Sequence, residues 1–194
     1  MLARKDARGK RAAGIIWQEK TGKGKMKMQT IKCTAKLRKE MGLKDASLAE
    51  PIPQTGVIGA WHANLIYVNR RKCVLFVNDK TLYNFAVTNL SRAEIKELDA
   101  VFLQHLVLNL FQEGFSEEVV KQLTQEYDRI QFAKTDNKSV LGSMNDLAWH
   151  YKYHLTEDGE DFLPHIIRKL NRMPMGAIKY AYSIEVLRQV VEGN

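Results

Sequence analysis

Residues 59–87 read GAWHANLIYVNRRKCVLFVNDKTLYNFAV and decide the fold. Apolar and aromatic residues dominate this stretch, and polar residues interrupt it at 69–72 and 78–80. Such a pattern is typical of strands joined by tight turns, because Asn and its polar neighbours readily adopt turn conformations. The three predicted strands are 61–68, 73–77 and 81–87. The middle one is apolar throughout, which favours a central strand covered on both faces. The stretch is therefore predicted to form a three-stranded meander.

The rest of the chain is predicted to add helices and short strands to this meander. Ser91 is followed three residues later by Glu94, the pattern of a capping box at a helix start, and Ser116 and Asp136 or Asn137 are further candidate caps. Further strands are predicted at 29–33 and 130–133, and helices at 35–41, 92–113, 117–127, 138–155, 162–170 and after Ser183. We predict an α+β fold: a mostly antiparallel sheet of four to five strands, with helices packed mainly on one face.

Length and composition set the broad class of the protein. The chain has 194 residues, of which 45% are hydrophobic, an ordinary value for a globular core. No apolar run approaches the ~20 residues that span a bilayer, and no secretory signal precedes the basic start, so a cytoplasmic protein is expected. Cys33 and Cys73 fall in predicted strands without the spacing of a metal site, and we predict neither a metal nor another cofactor.

The positive charge of the chain is concentrated at its beginning. Residues 1–27 hold nine basic and two acidic groups, a net charge of +7, whereas residues 28–194 carry +1. So polar a segment cannot bury enough surface to offset the entropy lost on ordering. We therefore predict a disordered basic tail at 1–27 and a single α+β domain at 28–194. The tail is expected to supply nearly all of any affinity for nucleic acid.

One polar stripe along the predicted helix 138–155 carries the candidate catalytic residues. Ser139, Ser143, Asp146, His150 and His154 follow one another at steps of three or four residues, which places them on one helix face. The candidate catalytic residues are Ser143, Asn145, Asp146 and His150. The alternative is a solvated face with an Asp–His pair, because a complete site rarely comes from one element.

The start of the same helix is a candidate anion site. Lys138 and Ser139 lie where unpaired backbone N–H groups and the helix dipole favour negative charge. The alternative is that the neighbouring polar residues only cap the helix, as every helix start requires.

Two further groups of cations are candidate binding residues. Arg70, Arg71 and Lys72 are predicted to share one hairpin tip, where they either bind an anion or keep a solvated turn from aggregating. Arg168 and Arg172 precede Pro174, where they form either an anion clamp or a helix end whose cations complement the dipole.

Two functions remain open at this point. The first is a binding module that contacts nucleic acid through the tail and the hairpin cations, or contacts a protein partner. The second is an enzyme acting on a phosphate-bearing or nucleotide substrate. A pocket lined by Asn145 and Asp146 together with His62, Asn64 and Asn84 of the meander would favour the enzyme.

Three segments of the chain resemble a known family. They are WHANLIYVNRRKCVLFVNDKTLY at 61–83, FAKTDNKSVLGSMNDLAWHYKYH at 132–154 and IRKLNRMP at 167–174. The family comprises small bacterial proteins classed as a domain of unknown function and often encoded near mobile elements. The resemblance covers about residues 28–191. It implies one cytoplasmic domain and transfers no function to any residue.

Overall fold

A computed structural model describes residues 28–50 and 56–193 and places five strands in one sheet. These strands are β1 (Met28–Cys33), β2 (Trp61–Val68), β3 (Arg71–Asn78), β4 (Asn84–Val87) and β5 (Arg129–Lys134). A separate two-stranded ribbon consists of β6 (Pro174–Met175) and β7 (Ala181–Tyr182). The predicted tail, residues 1–27, lies outside the described residues.

Seven α-helices occur in the described part of the chain. They are α1 (Ala35–Met41), α2 (Arg92–Lys96), α3 (Leu98–Gln112), α4 (Glu117–Thr124), α5 (Lys138–Glu157), α6 (Leu163–Leu170) and α7 (Ser183–Glu192). Within these segments, no helix combines the length and the apolar character needed to cross a bilayer. The fold is α+β, as predicted.

The sheet is mixed, so the prediction of a mostly antiparallel sheet is wrong. Its strand order is β4-β3-β2-β1-β5. The pairs β2–β3 and β3–β4 are antiparallel, whereas β1 is parallel to both β2 and β5. Parallel neighbours require long crossover connections, and the chain provides them between β1 and β2 and between β4 and β5.

The hairpin between β2 and β3 has a two-residue turn. Asn69 and Arg70 both have positive φ, 46° and 66°, as a type I′ turn requires. The turn fixes a register that runs from Val68 opposite Arg71 to Trp61 opposite Asn78. Side chains at odd positions of β2 therefore share one face, and those at even positions share the other.

Helices cover both faces of the sheet, which corrects the prediction that they pack mainly on one. Phe85 and Asn84 are neighbours in β4 and point to opposite faces. Phe85 packs against Phe102 of α3, with ring centroids 5.9 Å apart. Asn84 accepts a 2.9 Å hydrogen bond from the Tyr151 hydroxyl of α5. In β3 every side chain from Cys73 to Asn78 is buried, whichever face of the sheet it points to. Both faces of the sheet are therefore part of the core.

Helix starts follow the capping signals in the sequence. Ser91 and Glu94 form a complete capping box at α2, and the Ser116 side chain accepts the Val119 N–H at α4. Asn137, not Asp136, caps α5. The single helix predicted after Ser91 is divided into α2 and α3, because Glu97 leaves helical geometry.

Candidate functional site

Three of the four candidate catalytic residues lie together in a groove beside α5. Ser143, Asp146 and His150 line this groove of about 400 Å³, and the segment 173–177 forms its other wall. Asn145 is exposed and does not line it. In the part of the chain that the structure describes, no hydrogen bond or ion pair joins Asp146 to His150. A catalytic role for the four residues stays a prediction.

The meander residues that would favour an enzyme do not join this groove. None of His62, Asn64 and Asn84 is among its lining residues. The Asn84 side chain is hydrogen-bonded to Tyr151 and to Asn171, which directly follows α6, and the three form a buried network. The groove beside α5 and the polar face of the meander are therefore separate features.

The start of α5 is capped from within the chain. The Asn137 carboxamide oxygen accepts the backbone N–H groups of Ser139 and Val140 at 3.0 and 3.2 Å. Lys138 and Ser139 are exposed. An anion at this helix start would compete with the cap, and an anion-binding role for Lys138 and Ser139 stays a prediction.

The three hairpin cations point in different directions. Arg71 pairs with Glu160 at 3.3 Å and donates to Asn89 at 3.1 Å. Lys72, one residue later, points to the opposite face. Arg70 is exposed in the turn itself. The hairpin tip therefore does not concentrate its three charges, and Lys72 lines a groove apart from Arg71.

The groove that Lys72 faces is lined mainly by cations, and we call it the basic groove. Its volume is about 480 Å³, and its lining residues are Lys36, Lys39, Glu40, Leu65, Tyr67, Lys72 and Arg92. Tyr67 is 40% exposed, and the Lys36 Nζ lies 4.4 Å from the centre of its ring. Lys72 Nζ binds the carboxylate of Glu40 at 2.6 Å. Four cations and one carboxylate thus surround an accessible aromatic ring.

Arg168 and Arg172 are engaged with the end of α3. Arg168 donates to the Gln112 carbonyl at 2.9 Å, and Arg172 holds the buried Glu113 carboxylate through two nitrogens at 2.7 and 3.2 Å. Cations that bind the last carbonyls complement the negative end of the helix dipole. These contacts favour the structural alternative, and anion binding by the two residues stays a prediction.

A buried polar cluster lies at one edge of the sheet, and the sequence analysis missed it. We call it the His62 cluster; it consists of Lys32, His62, Asp79 and Asp136. Asp79 accepts from the His62 Nδ1 at 2.5 Å and from the Lys32 ammonium at 2.9 Å. Lys32 also binds Asp136 at 2.8 Å. Two carboxylates therefore share one ammonium group and one imidazole ring.

The ionisation of Asp79 and Lys32 reflects this sharing. Burial alone would raise the pKa of Asp79, but the hydrogen bond from His62 and the charge of Lys32 lower it below its ordinary value. Burial would lower the pKa of Lys32, but its bonds to Asp136 and Asp79 outweigh that effect and raise it. Both groups are therefore charged at neutral pH.

One atom of the cluster is left without a hydrogen bond. Because an ionised carboxylate can only accept, His62 Nδ1 carries a proton and donates a hydrogen bond to Asp79. His62 is 0% exposed, and its Nε2 has no hydrogen-bond partner among the described residues. The Asp136 Oδ1 lies 3.9 Å from this Nε2.

The position of the cluster in the sheet is one where α/β proteins hold ligands. The parallel strands β1 and β5 are neighbours, and both end there. The helix that follows β1, α1, lies over the Tyr67 face, whereas α5, which follows β5, lies over the Asn84 face. Ligands of open sheets bind where adjacent parallel strands send their connections to opposite faces.

The sequence holds little that points to this cluster. Lys32 and Asp136 stand 104 positions apart in the sequence. Asp79 belongs to the segment 78–80, for which the sequence predicts only a turn between two strands. Once β1 and β5 are taken as parallel neighbours, Lys32 and Asp136 reach the same edge. The one sequence signal for the His62 cluster is that polar residues stand at the ends of the predicted strands.

Comparison with known proteins identifies one matching family. A family model described as a domain of unknown function (DUF6933) matches residues 30–186. No curated protein matches the chain. The predicted resemblance to a domain of unknown function is thereby confirmed, whereas a bacterial origin and a mobile-element setting stay predictions.

Proposed function

Since the chain belongs to the family described as a domain of unknown function (DUF6933), we propose from its surfaces that it is a binding module that holds single-stranded nucleic acid in the basic groove. The supporting observation is that Lys36, Lys39, Lys72 and Arg92 surround the exposed ring of Tyr67. Proteins that hold single strands combine a cationic track for phosphates with aromatic rings for bases. The groove has both parts.

The charges of the groove are accessible to a polyanion. Lys36, Lys39 and Arg92 are exposed, and only Lys72 is tied to the groove's one carboxylate, Glu40. Phosphates that displace counterions from such side chains gain affinity that falls as salt rises. Residues 28–194 carry only +1 overall, so the groove is a local concentration of positive charge.

The basic segment 1–27 fits the same function. Its net charge of +7 would attract nucleic acid without regard to sequence. We propose that this segment raises the local concentration of the polyanion and that the basic groove supplies the defined binding site. Residues 1–27 contain one aromatic residue, Trp17, whereas in the groove the cations surround the exposed ring of Tyr67.

The proposal is tested by reversing charges in the groove and, as a matched control, elsewhere. Lys36→Glu with Lys39→Glu should weaken binding of a fluorescent oligo(dT) at least tenfold at low salt. It should also lower the slope of log affinity against log salt, by ~0.7 for each lost phosphate contact. Lys121→Glu with Lys152→Glu changes the net charge equally at exposed sites on α4 and α5.

The two pairs of substitutions separate a site from a diffuse charge effect. The proposal expects the control pair to bind within about twofold of the unchanged protein in the same anisotropy titration. Equal losses in both pairs would contradict it, because net charge alone would then explain binding. An unchanged protein that does not bind the oligonucleotide would also contradict it and leave a protein partner as the alternative.

An enzyme acting on a phosphate-bearing or nucleotide substrate is the second candidate. One observation favours it: Ser143, Asp146 and His150 line the same groove beside α5. Trp149 also lines this groove, and its ring stacks on that of Tyr153 with centroids 5.7 Å apart. Among the described residues no hydrogen bond or ion pair joins Asp146 to His150, so the enzyme is a weaker proposal than the binding module.

A further inference from the structure

We propose that the His62 cluster is a binding site for a divalent transition-metal ion such as Zn²⁺, with His62 Nε2 and Asp136 as ligands and Asp79 as the positioning residue. The cluster lies on the opposite side of the sheet from the basic groove's Tyr67 and does not depend on nucleic-acid binding. One ligand atom from each of His62, Asp79 and Asp136 lies within 4.8 Å of the others.

The strongest support is the buried Nε2 of His62. A buried polar atom without a hydrogen bond destabilises the folded state, so the protein gains by giving it a partner. The 3.9 Å gap to Asp136 Oδ1 is too long for a hydrogen bond. Two ligands of a tetrahedral Zn²⁺ ion lie ~3.4 Å apart, given metal–ligand distances of ~2.0–2.2 Å. A shift of about half an ångström by Asp136 would close the gap around an ion.

The carboxylate of Asp79 prepares His62 for this role. A histidine that binds a metal donates its other ring N–H to a carboxylate in most known sites, which fixes the tautomer and the ring orientation. The 2.5 Å contact from His62 Nδ1 to Asp79 has this arrangement. The donor set of imidazole nitrogen and carboxylate oxygen suits Zn²⁺ better than Ca²⁺, which prefers oxygen ligands alone.

The solvent exposure of Asp136 and the charge of the His62 cluster both favour the binding of a cation. The Asp136 side chain is 43% exposed and follows the end of β5, so an ion can reach it from solvent. Besides His62, the cluster holds two carboxylates and one ammonium group, so its carboxylates outnumber its ammonium group. The Lys32 ammonium occupies the same carboxylates, and we infer that it competes with the ion and withdraws when the ion binds.

Calorimetric titration of the full chain with Zn²⁺ tests the site. The unchanged protein should bind one ion, and Asp136→Asn should weaken binding at least tenfold without harm to the fold, since the side chain is exposed. Asp79→Asn should weaken Zn²⁺ binding 10–100-fold, which is the usual effect of losing the carboxylate that orients a metal-binding histidine. Lys32→Met should bind more tightly, because it removes the competing ammonium. Replacing Zn²⁺ by Ca²⁺ should give little binding.

Two control variants exclude adventitious zinc. Asp161→Asn removes an exposed carboxylate outside the cluster, and His154→Gln removes a half-buried histidine that pairs with Asp158. Both should bind Zn²⁺ as the unchanged protein does. The proposal is overturned if no stoichiometric binding occurs, if Asp136→Asn binds normally, or if His154→Gln abolishes binding. Co²⁺ absorption spectra of the same variants should show a nitrogen–oxygen ligand field that disappears with Asp136→Asn.

Discussion

At the scale of single residues, Asn84 shows how one buried amide fixes two helices on the sheet. Its carboxamide oxygen accepts a 2.9 Å hydrogen bond from the Tyr151 hydroxyl of α5. Its amide nitrogen donates a 3.0 Å hydrogen bond to Asn171, which directly follows α6. Asn171 in turn donates to the Asn84 backbone carbonyl at 2.7 Å. Every member of this network is buried and satisfied, so it selects one placement of the helices.

Removal of one hydroxyl tests this network. Tyr151→Phe leaves the Asn84 oxygen buried without its donor, and we expect a loss of ~1–3 kcal/mol in the free energy of unfolding. Tyr153→Phe is the matched control, because that ring is 52% exposed and the change should fall within ~0.5 kcal/mol. Urea unfolding of both variants gives the comparison. Equal effects would show that the Tyr151 hydroxyl does not stabilise the fold.

At the scale of elements, the turn between β2 and β3 sets the register of the central hairpin. Both of its residues adopt positive φ, which Asn69 tolerates and Arg70 does not favour. A slip of one residue would exchange the side chains on the two covered faces of β2 and disrupt their packing on both sides. The side chain at position 70 is therefore a direct probe of the strain in this turn.

A pair of substitutions at Arg70 measures that strain. Arg70→Gly creates the Asn-Gly turn that type I′ geometry prefers and should raise the free energy of unfolding by ~0.5 kcal/mol. Arg70→Val places a β-branched residue at positive φ and should lower it by ~1–2 kcal/mol. Thermal melts and urea titrations of both variants check the order. The account fails here if Val is tolerated as well as Gly.

Elements whose signals are local could be predicted from the sequence. Capping residues marked the starts of α2, α4 and α5, and the break at 69–72 marked the hairpin. The pairing of β1 with β5 could not be predicted, because it joins residues about a hundred positions apart and no local pattern records it. The His62 cluster depends on that pairing, and the mixed character of the sheet comes from it together with the parallel pair of β1 and β2.

The candidate sites also divide into those that local sequence signals predict and those that depend on tertiary packing. Ser143, Asp146 and His150 share a groove because helical spacing alone brings them together. The basic groove could be predicted only through Lys72, since α1, the hairpin and α2 meet there by tertiary packing. Arg71 was grouped with Lys72 in sequence, yet strand alternation sends it to Glu160 on the other face.

At the scale of the whole molecule, positive charge is present at two places. Residues 1–27 carry +7, and the basic groove gathers four cations within a remainder whose net charge is +1. Under the proposed function both contribute to the binding of nucleic acid, and the groove arranges its cations around the exposed ring of Tyr67. The division of affinity between them determines whether the folded part of the chain is itself a nucleic-acid-binding module.

The most direct measurement is a salt titration of oligo(dT) binding by a chain that begins at Met28, with and without Lys36→Glu and Lys39→Glu. Circular dichroism first establishes that both proteins are folded. We predict that the shortened chain retains salt-dependent binding, with a smaller slope than the full chain, and that the two substitutions remove most of it. A shortened chain that does not bind, or that binds equally well with both substitutions, would contradict the account.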